Sequence, residues 1–202
     1  MSGRFGAVVL AGGQSRRLGR DKALLDIDGV ACARRVLEAV RPLVGEICVV
    51  GGSNRFADWG VAWLPDAVTD AGPLGGLITG LRALDADASF ALACDLPLLS
   101  TPVLARLQQA FEAAPEAPAV VVRHAGRLEP LVAIYNRAAL SALEAALSRG
   151  ERALHRVLAR LPVREVDAES LRDVDIHLDG FLNLNTEDDA ARIRARLDGG
   201  RE

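Results

Sequence analysis

Short apolar runs that alternate with helix-spaced apolar stripes set the strongest limit on how this chain can fold. Residues 6–10 (GAVVL), 46–50 (EICVV), 89–94 (SFALAC) and 119–123 (AVVVR) are bounded by turn signals and rich in small or β-branched side chains. That is the pattern of parallel strands buried on both faces. Between them, Ala33, Val36, Leu37 and Val40 form one stripe at helical spacing, Leu74, Leu77, Ile78 and Leu81 a second, and Val103, Leu104 and Leu107 a third. The third helix opens with Thr101 as the expected N-cap and Pro102 at its first position. A run at Val61–Leu64 adds a short strand, and the whole reads as βαβ alternation in an α/β fold.

The second half changes character. Arg127–Tyr135 (RLEPLVAIY) reads as extended, and Asn136 is placed to cap a helix carrying Leu140, Leu143 and Leu147. Another helix carries Leu154, Val157, Leu158 and Leu161, Val163–Val166 returns as a strand, and Thr186 with Asp189 forms a capping box for TEDDAARIRARL.

With 202 residues there is room for one domain with a large core, and residues 1–202 are read as one. Apolar runs of five or six residues fall far short of the roughly 20 that a membrane helix needs, so no membrane is expected. MSGRFGAVVLAGG passes straight from a short apolar run into a glycine loop, unlike a signal peptide, which makes the cytoplasm the expected compartment. Cys32, Cys48 and Cys94 stand at wide spacings among apolar neighbours and read as buried thiols, neither a disulfide framework nor a zinc site. His124, His155 and His177 are isolated in sequence and read as surface or structural residues. Trp59 and Trp63, with Phe56, read as a helix end and a strand contributing to the core. A net charge of −3 argues against a general nucleic-acid binder, so any anionic ligand must be met by a local cluster of cations.

Such a cluster lies in LAGGQSRRLGRDKALL, residues 10–25. Gly12, Gly13 and Gly19 follow a buried strand, where backbone N–H groups can approach a phosphate. The loop is neither a Walker loop nor a G-x-G-x-x-G fingerprint. Arg16, Arg17, Arg20 and Lys22 fall within seven residues, opposed only by Asp21, and cations so close repel one another unless an anion sits among them. The plainer alternative is a solvated loop. Lys22 is the one lysine in a chain whose other 23 basic residues are arginine, which points to a site needing a compact ammonium where a planar guanidinium does not fit.

That loop resembles the signature of the nucleotidyltransferases that activate sugars and cofactors, and most closely the molybdenum cofactor guanylyltransferases. PDAVTDAGPLGGL, ACDLPLLS, EPLVAIYNR, GERALHRVLARL and FLNLNTEDD are similar to that family's later blocks, in the same order, so the resemblance covers essentially the whole chain. The opening loop is specific for the superfamily, and EPLVAIYNR with FLNLNT points to the molybdopterin-handling branch. The resemblance implies a Rossmann-like three-layer α/β/α sandwich with a mostly parallel sheet. It places the nucleotide in about residues 1–100 and the acceptor in about 101–202. The implied reaction joins GMP from GTP to the terminal phosphate of molybdopterin and releases pyrophosphate, with magnesium required. A phosphate nucleophile is already ionised at neutral pH, so the site must supply charge and alignment rather than a general base.

By the same resemblance, Asp95, after the apolar run FALAC, is the magnesium ligand, and Lys22 and Arg17 neutralise the triphosphate. Asp95 as a turn cap before Pro97 is the alternative. Leu10, Ala11, Gly12 and Gly13 frame the nucleotide, with Asp66 and Asn54 also in its site, although Gly51-Gly52-Ser53 displaces Asn54 from its expected place directly after the strand. The acceptor side is assigned to Arg17, Gly72, Gly76, Pro130, Arg152, Asn183 and Asn185. Two asparagines two apart on a strand face the same side, so both amides can meet one ligand; satisfying loop backbone is the alternative. Glu129 stands where the family also carries histidine, without an assigned role. The implied partners are GTP, molybdopterin, other cofactor-biosynthesis proteins and recipient molybdoenzymes. Competing expectations are a cytidylyltransferase or other NTP transferase of the same fold, though Leu-Ala-Gly-Gly replaces the Leu-Ala-Ala-Gly usual in the former, and a non-catalytic cofactor carrier.

Overall fold

In the computed structural model, which describes residues 4–12, 22–52, 54–65 and 71–199, the strand-helix alternation builds a seven-stranded sheet between two helical layers. In chain order the elements are β1 (Phe5–Leu10), β2 (Asp26–Ile27), β3 (Val30–Ala31), α1 (Cys32–Val40), β4 (Glu46–Val50), β5 (Ala62–Leu64), α2 (Gly72–Ala83), β6 (Ala88–Ala93) and α3 (Thr101–Glu112). They continue with β7 (Ala119–His124), β8 (Arg127–Asn136), α4 (Leu140–Ser148), α5 (Leu154–Leu158), β9 (Arg164–Asp167) and α6 (Glu187–Gly199). The sheet order is β5-β4-β1-β6-β8-β7-β9, and β2 pairs with β3 in a separate two-stranded ribbon.

β1 is buried along its whole length, and its alternation divides the core. Ala7 and Val9 face a cluster with α1 and α3, whereas Val8 and Leu10 face a second cluster with α2, α4 and α5. Each side of the sheet is therefore dry, as continuous apolar strands require. The stripes on α1, α2 and α3 are buried as their spacing predicts.

β1, β4, β5 and β6 run parallel, but the run at 119–123 is not simply a parallel strand. β7 is antiparallel to β8 and parallel to β9, and β8 is antiparallel to β6. Apolar composition on both faces reports burial and not direction. Direction is set by the Ala125-Gly126 turn, where both residues have positive φ (48° and 76°), the geometry of a tight hairpin.

Ser100, not Thr101, occupies the N-cap of α3. Thr101 is already helical and its hydroxyl donates to the Ala39 carbonyl at 2.7 Å, tying α3 to α1. The other caps follow the sequence: Asn136 accepts from the Ala138 N–H, and Thr186 and Asp189 exchange side-chain to backbone hydrogen bonds at 2.9 and 3.1 Å. Phe56 is fully buried with Trp59 edge-on at 5.3 Å, and all three cysteines are buried free thiols. Among the described residues, no helix is long and apolar enough to cross a membrane.

Candidate functional site

The carboxyl ends of β1, β4 and β6 are stitched together just where the chain leaves the sheet. The Cys94 N–H donates to the Leu10 carbonyl at 3.1 Å, and the Ala11 N–H to the Val50 carbonyl at 2.9 Å. Gly52, at φ +64°, passes so close that a Cβ there would stand 3.0 Å from the Ala11 carbonyl oxygen and 2.9 Å from Phe56. Leu10 and Ala11 are buried beneath this edge, while Gly12 is exposed on it. Asn54 opens the 3-10 turn after β4 and is also exposed. Gly13, Arg17 and Asp66, with Arg16 and Arg20, lie outside the described residues.

Asp95 follows β6 at this edge, and Lys22 approaches it from the turn after the glycine loop. Lys22 Nζ donates to Asn185 Oδ1 at 2.5 Å and stands 4.0 Å from Asp95 Oδ2. The Lys22 and Asp95 side chains are only 21% and 23% exposed, so water screens their charges weakly. Burial raises the Asp95 carboxyl above its ordinary value, opposed by the Lys22 ammonium and a backbone hydrogen bond.

The third member arrives from the far end of the chain. The Leu184 N–H donates to the Asp95 carbonyl at 2.8 Å, and the buried Leu184 side chain packs among Ile27, Cys32, Ala190 and Ile193. Residues 182–185 form no strand, contrary to the sequence expectation. Burial still alternates, with Leu184 inside and both Asn183 and Asn185 exposed on either side of it.

A pocket of about 330 Å³ opens beside Asp95. Asp95, Pro130 and Asn183 line it together with Pro73, Glu129, Leu154 and His155. Gly72 begins α2 at φ +61°, and a Cβ on it would lie 3.5 Å from the Arg152 carbonyl oxygen, which brings the α2 terminus against the segment leading into α5. The Arg152 guanidinium turns elsewhere: it donates to the Leu147 and Glu151 carbonyls, closing the end of α4. Gly76 is buried within α2 and is not among the described pocket-lining residues.

Two pocket residues had no assigned role in the sequence. His155 is exposed but also lines the pocket, which extends its reading as a surface residue. Glu129 is half-buried there, and burial raises its carboxyl, opposed by His124 and Arg127. The clue to Glu129 was its place beside Pro130; His155 offered none, because only the packing of α5 against β8 brings it near.

Residues 7–166 match the model of the MobA-like NTP transferase domain. The chain belongs to this family. A molybdenum cofactor guanylyltransferase of Syntrophotalea carbinolica is 33% identical over 97% of this chain and 94% of its own length. One from Shewanella baltica is 32% identical over 98% and 99%. Among solved structures, molybdopterin-guanine dinucleotide biosynthesis protein A from Archaeoglobus fulgidus superposes with a TM-score of 0.81 at 28% identity, covering 96% of this chain and 99% of that one. A nucleotidyl transferase from Methanothermobacter, at 23% identity and a TM-score of 0.76, shares the fold. The protein is thus a nucleotidyltransferase of the MobA-like family, with the mostly parallel sheet and two helical layers of its relatives.

Proposed function

We propose that this MobA-like transferase moves GMP from GTP to the terminal phosphate of molybdopterin, forming molybdopterin guanine dinucleotide and pyrophosphate in the cytoplasm. The observation that carries the reading is the contact of Lys22, from the nucleotide loop, with Asn185, from the acceptor segment, directly beside Asp95. Donor and acceptor sides therefore share one point, as direct transfer between two bound substrates requires.

A phosphate oxygen of molybdopterin attacks the α-phosphorus of GTP, a new P–O–P linkage forms, and the bond from the α-phosphorus to the β-phosphate oxygen breaks, releasing pyrophosphate. No proton need be removed from the nucleophile. The Lys22 ammonium, as a point charge among phosphate oxygens, offsets charge as pyrophosphate departs. Asn183 and Asn185 offer amide groups to the acceptor, and the Leu10–Gly12 edge offers backbone groups to the nucleotide. The nucleotide belongs with about residues 1–100 and the acceptor with about 101–202.

The Asp95 carboxylate fits magnesium, being an oxygen donor in a dry setting that opposes its own ionisation. Among the described residues, no group of three or more His, Cys, Asp or Glu side chains forms a metal cage, which suits an ion completed by substrate phosphates. Bound there, it supplies neutralisation of the triphosphate.

The test is incubation with molybdopterin, magnesium and each of the four nucleoside triphosphates in turn, with the dinucleotide identified by mass. GTP should give product and pyrophosphate. Product from CTP instead would move the protein to the cytidylyltransferases, and no product from any nucleotide by folded protein would overturn the transferase reading.

A further inference from the structure

The β7–β8 hairpin makes one wall of the pocket by interrupting its own ladder. Val121 pairs with Ala133, but the next residue, Val122, pairs with Glu129, so Pro130, Leu131 and Val132 leave the β7 register. Proline has no N–H to lose from a ladder and is tolerated at such a bulge. The hydroxyl of the fully buried Tyr135 donates to the Pro130 carbonyl at 3.0 Å and fixes the bulge from inside.

On the opposite edge, Val132 pairs antiparallel with Leu92 of β6. Glu129 and Asp95 therefore each lie three residues beyond that pair, toward the same end of the sheet, and both line the pocket. Pro73, Leu96, Leu131 and Leu154 give much of the remaining wall an apolar character. Among the described residues, no hydrogen-bond donor satisfies the Glu129 carboxyl, whose basic neighbours are His124 and Arg127.

We infer that Glu129 recognises the pterin of the acceptor, its two carboxylate oxygens accepting from the ring N3–H and the exocyclic 2-amino group. The inference rests on the acceptor reading given above. A flat heterocycle suits the apolar walls, and its 2-amino-4-oxo edge presents two adjacent donors to a carboxylate that has only acceptors to offer. The acceptor's phosphate then extends toward Asp95 and Lys22. Burial raises the Glu129 carboxyl, opposed by His124 and Arg127, and the ionised form is the one that accepts from both donors.

The experiment compares pterin-6-carboxylate with lumazine-6-carboxylate, which carries a 2-oxo group in place of the 2-amino group, by fluorescence titration. The unsubstituted protein should bind the pterin at least about tenfold more tightly, because the 2-oxo group turns an acceptor toward an acceptor. Glu129→Gln should erase or reverse that preference, since its amide can donate to the 2-oxo group, and should raise the KM for molybdopterin by about tenfold or more while leaving the KM for GTP unchanged. Equal or undetectable binding of the two compounds by the unsubstituted protein, or a preference kept by Glu129→Gln, would overturn the inference. Failure of the transferase reading would appear separately, as no pyrophosphate release with any nucleotide whatever the pterin preference.

Discussion

Lys22 Nζ bonds Asn185 across 163 positions of sequence at 2.5 Å, and Asp95 lies 4.0 Å from the same nitrogen. An ammonium meets two oxygen acceptors in that space; a planar guanidinium needs a different spread of partners. Lys22→Arg keeps the charge but displaces it. Its turnover, measured as pyrophosphate release, should fall about 10²–10³-fold, the usual effect of losing a well-placed electrostatic contact. Near-parent activity would show that charge alone suffices at this position.

On the proposed assignment, Asp95 holds function against stability. Burial raises its carboxyl, so the charged form opposes folding: the favourable contribution is present below the unfolded-state pKa and is lost as pH rises through the raised folded value. Asp95→Asn removes the charge with little change of shape. We expect turnover to fall by at least about 10²-fold while Tm stays level or rises. A carrier would still deliver cofactor with asparagine here, so retained delivery together with unchanged dinucleotide formation would exclude the enzymatic role of Asp95.

The strands and the three helical stripes were legible because each buries a face that its own residue spacing defines. Strand direction at β7 was not, because apolar burial looks alike in either direction and the deciding signal was the two-residue Ala125-Gly126 turn. At the site, Lys22 and Asp95 could be chosen from their local settings, a strand end and a basic glycine loop. The contact of Lys22 with Asn185, and that of the Asp95 carbonyl with the Leu184 N–H, depend on the anchoring of Leu184 in a separate small core. Arg152 shows the opposite case: a suggestive cation in sequence whose Nη1 donates to the Leu147 and Glu151 carbonyls at the end of α4, a contact its spacing did not announce.

Gly80 of α2 should not tolerate a side chain. A Cβ there would stand 2.3 Å from Val8 Cγ1, and Val8 is fully buried with a stiff β-branched side chain. Alanine in a helix ordinarily gains about 1 kcal/mol over glycine. Overpacking costs about 1–3 kcal/mol or more and should win, so Gly80→Ala lowers stability in urea unfolding. A stabilised variant would mean that α2 moves off β1 without cost.

Alkaline pH should unfold the protein through its thiols. Burial pushes Cys32 and Cys48 from 9.0 up to about 12, and both side chains are fully buried. The unfolded chain therefore loses these protons first: the stabilisation is complete below pH 9 and drains away between 9 and about 12. Two thiols give a limiting slope of about 2.7 kcal/mol per pH unit within that window. The buried Tyr135 hydroxyl, also raised by burial, adds to the loss above pH 10.0. Urea unfolding at successive pH values should show a plateau to about pH 8.5 and then a steepening decline, since the protons begin to leave the unfolded thiols there. Cys48→Ala should lower the plateau, because a buried sulfur is lost, yet flatten the early part of the decline to about half, because only Cys32 then contributes a thiol proton there. An unchanged slope in that variant would assign the alkaline loss to other groups.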